Sequence, residues 1–191
     1  VITASAAGTG LNVLVASGNF TNAGVFTTTL DATHRMSVTF NGDFINTGTF
    51  NSASSTTSVI TIAGAAATQN IAGFTTTGTV SMTKTAGIAT FTGNVNGSAL
   101  TLSGLGGTLA LGSFTHTFTG TWTRTNGTLD AGSSTLNLNG ATITGAAGTF
   151  TAGTSTVNYG LGGAQAVAGV TYYNLTTSGG SGIKTANGAV V

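Results

Sequence analysis

The sequence predicts an all-β chain folded as a parallel β-helix, or β-solenoid, of roughly eight coils of 21–27 residues. Three observations predict it: a composition dominated by strand-forming residues and glycine, a two-residue alternation of polar and apolar positions, and internal repeats. A repeat of 20–50 residues in a chain without helical periodicity is typical of a solenoid, in which each repeat forms one coil.

The composition favours strands and a collapsed chain. Of 191 residues, 31 are glycine, 40% are hydrophobic and only 4% are charged. The apolar residues are mainly valine, isoleucine, leucine and phenylalanine, and threonine dominates the polar ones; most of these favour strands. The mean hydropathy is +0.35, so the low charge does not indicate disorder.

Alternation predicts half-buried strands. Residues 135–138 (TLNL) and 156–159 (TVNY) alternate polar and apolar side chains, as a strand with one buried face requires. The alternation is strictest over 114–125, where every odd position from 115 onward is threonine, which predicts a single long strand. No segment carries an apolar stripe with a 3.6-residue period, so we expect almost no helix.

Two repeats define the coil. Residues 127–138 and 148–159 are identical at seven of twelve positions with an offset of 21. Residues 18–26 and 42–50 are identical at five of nine positions with an offset of 24. We therefore expect one solenoid domain, or a segment of one, over 1–191.

Longer echoes extend the pattern. QNIAGF recurs as QAVAGV, KTAGIA resembles KTANGAV, and a Phe-x-Gly-x-apolar signature appears three times. We interpret all of these offsets as multiples of one coil. The segments are 69–74 and 165–170, 84–89 and 184–190, and 40–44, 91–95 and 118–122.

Stacking explains the composition. In a parallel solenoid equivalent residues lie above one another about 4.8 Å apart. Asn137 above Asn158 would form an amide ladder, and threonine columns would form hydroxyl ladders. Like charges at this spacing repel, so we expect charge to be excluded from the stack.

An antiparallel β-sandwich is the alternative fold. Asn-Gly pairs between alternating runs are a strong hairpin signal, and VTFNGDFI and LNLNGATI both have this form. The same pairs also suit solenoid corners, because both residues tolerate left-handed conformations.

One long stretch resembles a known family. The segment GTFTAGTSTVNYGLGGAQAVAGVTYYNLTTSGGSGIKTANGAV (148–190) is similar to the β-strand repeats of very large, adhesin-like surface proteins of Bacteroidetes and their relatives. The similarity is clearest over 118–190 and looser over 18–100. It implies a β-helical fold and an exported, cell-surface or extracellular role, and it transfers no functional residues.

The ionisable residues predict no enzyme, cofactor or metal. The only acids are Asp31, Asp43 and Asp130, too few and too scattered for paired acid–base catalysis. We expect Asp31 to form a loop ion pair with Arg35. His34 and His116 lack a carboxylate set for a metal, and we expect a stacked or exposed strand position for the latter.

The charge distribution also argues against nucleic acid and membrane spans. A net charge of +1 forms no basic patch that would attract phosphates. No apolar run approaches the roughly 18 residues of a membrane helix.

Two surfaces could bind partners. A threonine ladder could form a flat face for ice or glycan, and Tyr172-Tyr173 could stack on sugars; its predicted members are Thr115, Thr117, Thr119, Thr121, Thr123 and Thr125. Open strand edges could pair with copies of the chain or with flanking repeats. The predicted assembly strands contain Leu11, Val13, Val15, Val190 and Val191. We therefore expect a structural or adhesive extracellular solenoid that assembles end to end or by strand donation.

Overall fold

The chain forms a three-sided parallel β-solenoid. The computed structural model describes residues 2–3, 10–28, 34–52 and 58–191. Each coil contributes one short strand to each of three sheets, and the coils make about eight turns. The predicted fold is confirmed. The antiparallel alternative is wrong, because every strand pairing in the described ranges is parallel, from the first pair to the last.

Sheet 1 forms the first side. Seven strands follow one another in hydrogen-bonded order: β2 Gly10–Ala16, β5 His34–Phe40, β8 Val59–Ile62, β11 Thr79–Met82, β14 Leu100–Leu102, β17 Trp122–Arg124 and β20 Ile143–Thr144. Two more strands, β23 Gln165–Ala168 and β25 Lys184–Asn187, pair with each other and continue this side beyond β20, through the bond from Ala166 N–H to Ala141 O.

Sheets 2 and 3 form the other sides. Sheet 2 contains β3 Phe20–Asn22, β6 Phe44–Asn46, β9 Thr68–Ile71, β12 Ile88–Phe91, β15 Thr108–Ala110, β18 Thr128–Asp130 and β21 Thr149–Thr151. Sheet 3 begins with β1 Ile2–Thr3, β4 Val25–Thr27 and β7 Thr49–Asn51. After a bridge between Ser52 and Thr76 it continues with β10 Phe74–Thr75, β13 Val95–Gly97, β16 Thr115–Phe118, β19 Thr135–Leu138, β22 Thr156–Tyr159 and β24 Asn174–Thr177.

The two strongest sequence repeats are adjacent coils in exact register. The offset of 21 pairs Asn137 with Asn158, and the offset of 24 pairs Phe20 with Phe44. Between these regions the offset is 20 residues at several pairs, as for Thr79 and Val59. Near the carboxyl end it falls to 18, as for Asn174 and Thr156.

The three Phe-x-Gly-x-apolar segments are corners, not copies of one coil position. Segment 40–44 joins sheet 1 to sheet 2, segment 91–95 joins sheet 2 to sheet 3, and segment 118–122 joins sheet 3 to sheet 1. We call these corners 1–2, 2–3 and 3–1. The interpretation of their spacings as whole coils was wrong, because the same turn serves all three corners.

Corner 2–3 shows why glycine recurs. Gly112, Gly132 and Gly153 lie above one another with φ of 70°, 55° and 56°. A Cβ on Gly153 would lie 2.1 Å from the carbonyl oxygen of Gly132. Both the left-handed conformation and the close approach of successive coils therefore require glycine at this turn.

Inward side chains fill the interior in columns. One column of sheet 1 runs through Val38, Ile60, Val80, Leu100 and Trp122, each at most 1% exposed. Stacking one residue on its equivalent removes apolar surface from water along the whole solenoid axis, which stabilises the coils collectively.

Candidate functional surfaces and buried polar clusters

Sheet 1 presents a two-dimensional array of small, uncharged side chains to solvent. One outward column contains a threonine or serine in six consecutive coils: Thr39, Thr61, Ser81, Thr101, Thr123 and Thr144. The neighbouring column contains Val59, Thr79, Ala99, Thr121 and Thr142. Hydroxyls of adjacent coils approach to 2.9 Å between Thr123 and Thr144. The array is therefore periodic both along and across the strands.

The predicted threonine ladder does not form one face. Thr115 and Thr117 belong to sheet 3, Thr119 lies at corner 3–1, and Thr121 and Thr123 belong to sheet 1. Thr125 follows the end of β17. The prediction of a single strand over 114–125 was wrong, because the glycine at 120 lets the chain turn a corner without interrupting the alternation. The real ladders run across coils, not along the chain.

The predicted asparagine ladder is present on sheet 3. Asn158 Nδ2 donates to Asn137 Oδ1 at 3.2 Å, and Asn137 Nδ2 donates to Thr117 Oγ1 at 3.4 Å. Ser178 Oγ donates to Asn158 Oδ1 at 3.0 Å. The amides thus link four successive coils on the half-exposed face.

The predicted assembly strands lie at opposite ends of the solenoid. Strand β2, which contains Leu11, Val13 and Val15, is the first strand of sheet 1, and Val13 and Val15 are 64% and 51% exposed. Val190 and Val191 lie beside residues 170–172, through the bonds of Val191 with Val170 and Tyr172, and are 41% and 76% exposed.

A buried amide and a buried ammonium close corner 1–2. Gln69 Nε2 donates to the carbonyl oxygens of Phe40 (3.0 Å) and Gly42 (2.6 Å) in the preceding coil. From the following coil, Lys84 Nζ donates to Gln69 Oε1 (3.3 Å) and Ala66 O (3.2 Å). Lys84 is fully buried, and desolvation lowers the pKa of its ammonium. This Gln–Lys pair ties three coils together.

The same Gln–Lys pair recurs at corner 3–1. Gln165 Nε2 donates to Leu138 O (2.6 Å) and Gly140 O (2.9 Å), and Lys184 Nζ donates to Gln165 Oε1 (3.0 Å) and to Leu161 O. The echoes of QNIAGF and KTAGIA in the sequence are therefore a structural unit. Its two copies occupy different corners, so their spacing of 96–100 residues is not a whole number of coils, contrary to our interpretation.

His116 is a core residue. It is fully buried, contrary to the expected stacked or exposed position, because its strand directs it inward. Its Nδ1 accepts from Val95 N–H at 3.1 Å, which leaves Nε2 to donate to Leu111 O at 2.9 Å. Burial lowers the pKa of the imidazole, although both backbone bonds oppose this. The geometry fixes one neutral tautomer. His34 begins β5, and Asp31 lies outside the described residues.

Arg124 occupies a core column that is otherwise apolar. The last residues of β5, β8, β11 and β14 are Phe40, Ile62, Met82 and Leu102, and the equivalent position of β17 is Arg124. It is 4% exposed, so the expectation that charge is excluded from the stack was wrong here and at Lys84. Each buried cation stands alone in its column, which avoids the repulsion on which that expectation rested.

The Arg124 guanidinium has few partners. Nη1 donates to Gly148 O at 3.2 Å, and Cζ lies 4.9 Å from the centroid of the Trp122 ring. Its Nε is buried without a hydrogen-bond partner. Among the residues that the structure describes, no carboxylate forms an ion pair with it. Burial lowers its pKa, yet arginine remains protonated in proteins.

A tyrosine pair closes the interior beside Arg124. Ala168 N–H donates to the Tyr159 hydroxyl (3.0 Å), which lies 2.8 Å from the Tyr172 hydroxyl, and Tyr172 donates to Ala168 O (2.7 Å). Burial is the main cause that raises the pKa of both phenols. The hydroxyl groups thus form a closed neutral ring of hydrogen bonds with one backbone unit.

A cavity of about 230 Å³ opens next to the arginine. The residues that follow the sheet 1 strands of the next coils are glycines: Gly145 after β20, Gly169 after β23 and Gly188 after β25. Because these positions continue the Arg124 column without side chains, they leave the space empty. The walls are Arg124, Ile143, Gly145, Ala146, Ala168, Gly169 and Asn187. Sequence reasoning missed this site, although the arginine at an inward position of an alternating strand was a usable signal.

Two further searches gave negative results for the described ranges. No group of three or more histidine or acidic side chains within them could hold a metal ion. They also contain no helix with the length and hydrophobicity needed to cross a bilayer.

The fold makes the chain a β-solenoid protein. No protein-family model, no curated protein and no solved structure matches it. The resemblance to Bacteroidetes surface repeats therefore stays a prediction from the sequence.

Proposed function

We propose that the chain is a non-enzymatic structural or adhesive solenoid of an extracellular or cell-surface protein. It acts as a rigid segment whose open strand edges pair with flanking repeats or with further copies of the same chain. The observation that carries the proposal is the pair of exposed edges, β2 at one end and β25 at the other, flanked by exposed valines.

Backbone hydrogen bonding supports this proposal. In a parallel strand, alternate residues direct their N–H and C=O groups to opposite neighbours. Gly169 N–H donates to Asn187 O, so the odd residues of β25 serve β23 and the backbone groups of Ala186 face the open edge. By the same alternation, Asn41 N–H donates to Ala16 O, which leaves the backbone groups of Val13 and Val15 facing outward from β2. Such edges are templates for a further strand.

A proline at one edge tests assembly. Ala186→Pro removes the outward N–H of β25 and keeps the bonds to β23, whereas Ala186→Ser keeps the donor. We expect the unmodified chain and A186S to form larger species as concentration rises in analytical ultracentrifugation, and A186P to remain monomeric. Electron microscopy of the same samples should show rods of one width and variable length.

Two results would refute end-to-end association of this chain. One is a chain that stays monomeric at high concentration with both edges intact. The other is A186P that assembles as readily as A186S.

The hydroxyl array of sheet 1 favours a second function, the binding of a flat and regularly spaced neutral surface such as ice. Its two outward columns repeat at the strand spacing of about 4.8 Å and contain no charged side chain. A rigid array loses little conformational entropy when it binds another regular array.

Lysine substitutions on two faces separate this function from the first. Thr101→Lys interrupts the centre of the sheet 1 array, and Thr117→Lys places the same side chain on sheet 3. We expect thermal hysteresis of the unmodified chain to be abolished by T101K and kept by T117K. No hysteresis in the unmodified chain rejects ice as the ligand, and equal losses in both variants reject sheet 1 as its binding face.

A further inference from the structure

The cavity beside Arg124 has the properties of an anion site. Burial of an unpaired charge is unfavourable unless the charge finds a partner of opposite sign. Arg124 is 4% exposed, its Nε has no partner, and its one hydrogen bond is to a neutral carbonyl. Lys84, the other fully buried cation, differs because its ammonium has two acceptors and lines no comparable cavity.

The empty space lies next to this charge because of the sequence. Four preceding coils fill the column with large apolar side chains, and Gly145 and Gly169 then leave it unfilled for two coils. A larger residue in either coil would close the cavity. The column therefore combines a fixed cation with adjacent space, the arrangement that admits a small anion.

We propose that this cavity binds a small carboxylate anion of about the size of acetate. The planar guanidinium matches the two oxygens of a carboxylate. Ile143, Ala146 and Ala168 provide an apolar wall for a short alkyl group, and the Asn187 amide at the rim offers a further polar contact. This site is independent of end-to-end assembly and of the sheet 1 surface.

Trp122 provides the readout. It is the only tryptophan of the chain, it is buried, and its ring faces the Arg124 guanidinium at 4.9 Å. Titration with sodium acetate at constant ionic strength, balanced with sodium chloride, should change its fluorescence saturably. The melting temperature should rise over the same concentration range.

Three variants test the location. Arg124→Met removes the charge and should weaken acetate binding by about 10- to 100-fold, the usual effect of losing a hydrogen-bonded charged group. Ala146→Leu fills the cavity and keeps the arginine, so it should also lose binding. Arg35→Met removes one positive charge from another part of the solenoid and should bind like the unmodified chain.

The expected pattern is saturable acetate binding that R124M and A146L lose and R35M retains. A fluorescence and stability response no larger in acetate than in chloride would overturn the proposal. So would a response to inorganic phosphate without one to acetate, since the site would then not select carboxylates. Retention of the acetate response in R124M would show that the anion binds elsewhere.

Discussion

The amino-terminal coils and the carboxyl-terminal coils fill the same triangular interior differently. Six phenylalanine rings pack together in the first coils, with Phe40 stacked on Phe44 at a centroid distance of 4.6 Å; the six are Phe20, Phe26, Phe40, Phe44, Phe50 and Phe74. The later coils instead contain Trp122, Arg124, Tyr159 and Tyr172, hydrogen-bonded polar groups and a cavity.

Coil length changes with this filling. Adjacent coils are offset by 24 residues among the phenylalanines and by 18–19 residues near the carboxyl end. The backbone ladder is parallel in both regions. The comparison teaches that the ladder specifies the solenoid, while the inward columns can be exchanged between apolar packing and polar chemistry without changing the fold.

The largest expected effect is loss of a phenylalanine. Phe40→Ala should lower the free energy of unfolding of the amino-terminal coils by about 3–5 kcal/mol, because it leaves a cavity in a closely packed ring cluster. Thr39→Ala, on the same strand but facing outward, should change it by about 0.5 kcal/mol or less. Hydrogen exchange resolves the affected coils, and equal protection in both variants would contradict this account of the core.

Replacing the buried arginine should have the opposite sign. In chloride buffer, Arg124→Met should raise stability by about 1–4 kcal/mol, because an apolar side chain restores the column and removes a desolvated charge. Leu102→Met, in the preceding coil of the same column, should change stability by less than about 1.5 kcal/mol. If R124M is instead the less stable of the two in thermal unfolding, the bond to Gly148 and the Trp122 contact outweigh the burial of charge.

His116 should make stability depend on pH. Its pKa is lower in the folded chain than the usual value of about 6.5 in the unfolded chain, so the unfolded state binds the proton first as pH falls. Stability is therefore complete above about pH 6.5 and declines below it, by at most about 1.4 kcal/mol per pH unit.

His116→Leu provides the control for that slope. Leucine matches the neighbouring residues of the column, Val95 and Leu136, and does not titrate. Denaturant unfolding between pH 7 and pH 5 should give a flatter profile for H116L than for the unmodified chain. Identical slopes would assign the pH dependence to other groups.

The smallest effect is expected on the outer ladder. Asn137→Ala removes the acceptor of Asn158 Nδ2 on a half-exposed face and should cost about 0.5–1 kcal/mol. Thr135→Ala, on the same strand, should cost less. A loss in N137A as large as that in F40A would mean that the ladders, not the interior, hold the coils together.

Much of the fold could be predicted from the sequence. Alternation at residues 135–138 and the 21-residue repeat gave the correct strands and the correct register, because both depend on neighbours one coil apart. The Asn137–Asn158 ladder followed directly. The position of the corner within 114–125 could not be predicted, because a glycine at 120 suits a strand interior poorly but suits a corner as well as a bulge.

The candidate sites were less predictable. The Gln–Lys pairs appear in the sequence as faint echoes, and which corner each occupies depends on the summed lengths of the intervening coils. The cavity depends on Arg124 lying in the same column as Gly145 and Gly169, two coils apart. Only the accumulated register of several coils brings these residues together.

The sequence by itself determined a parallel solenoid with threonine and asparagine ladders, since identical short phrases at a fixed spacing stack most favourably on each other. Tertiary structure decided which residues face inward together, where the corners fall and where charge is buried. The physical reason is that stacking is a local preference between adjacent coils, whereas the cross-section and its cavity result from all three sheets closing around one interior.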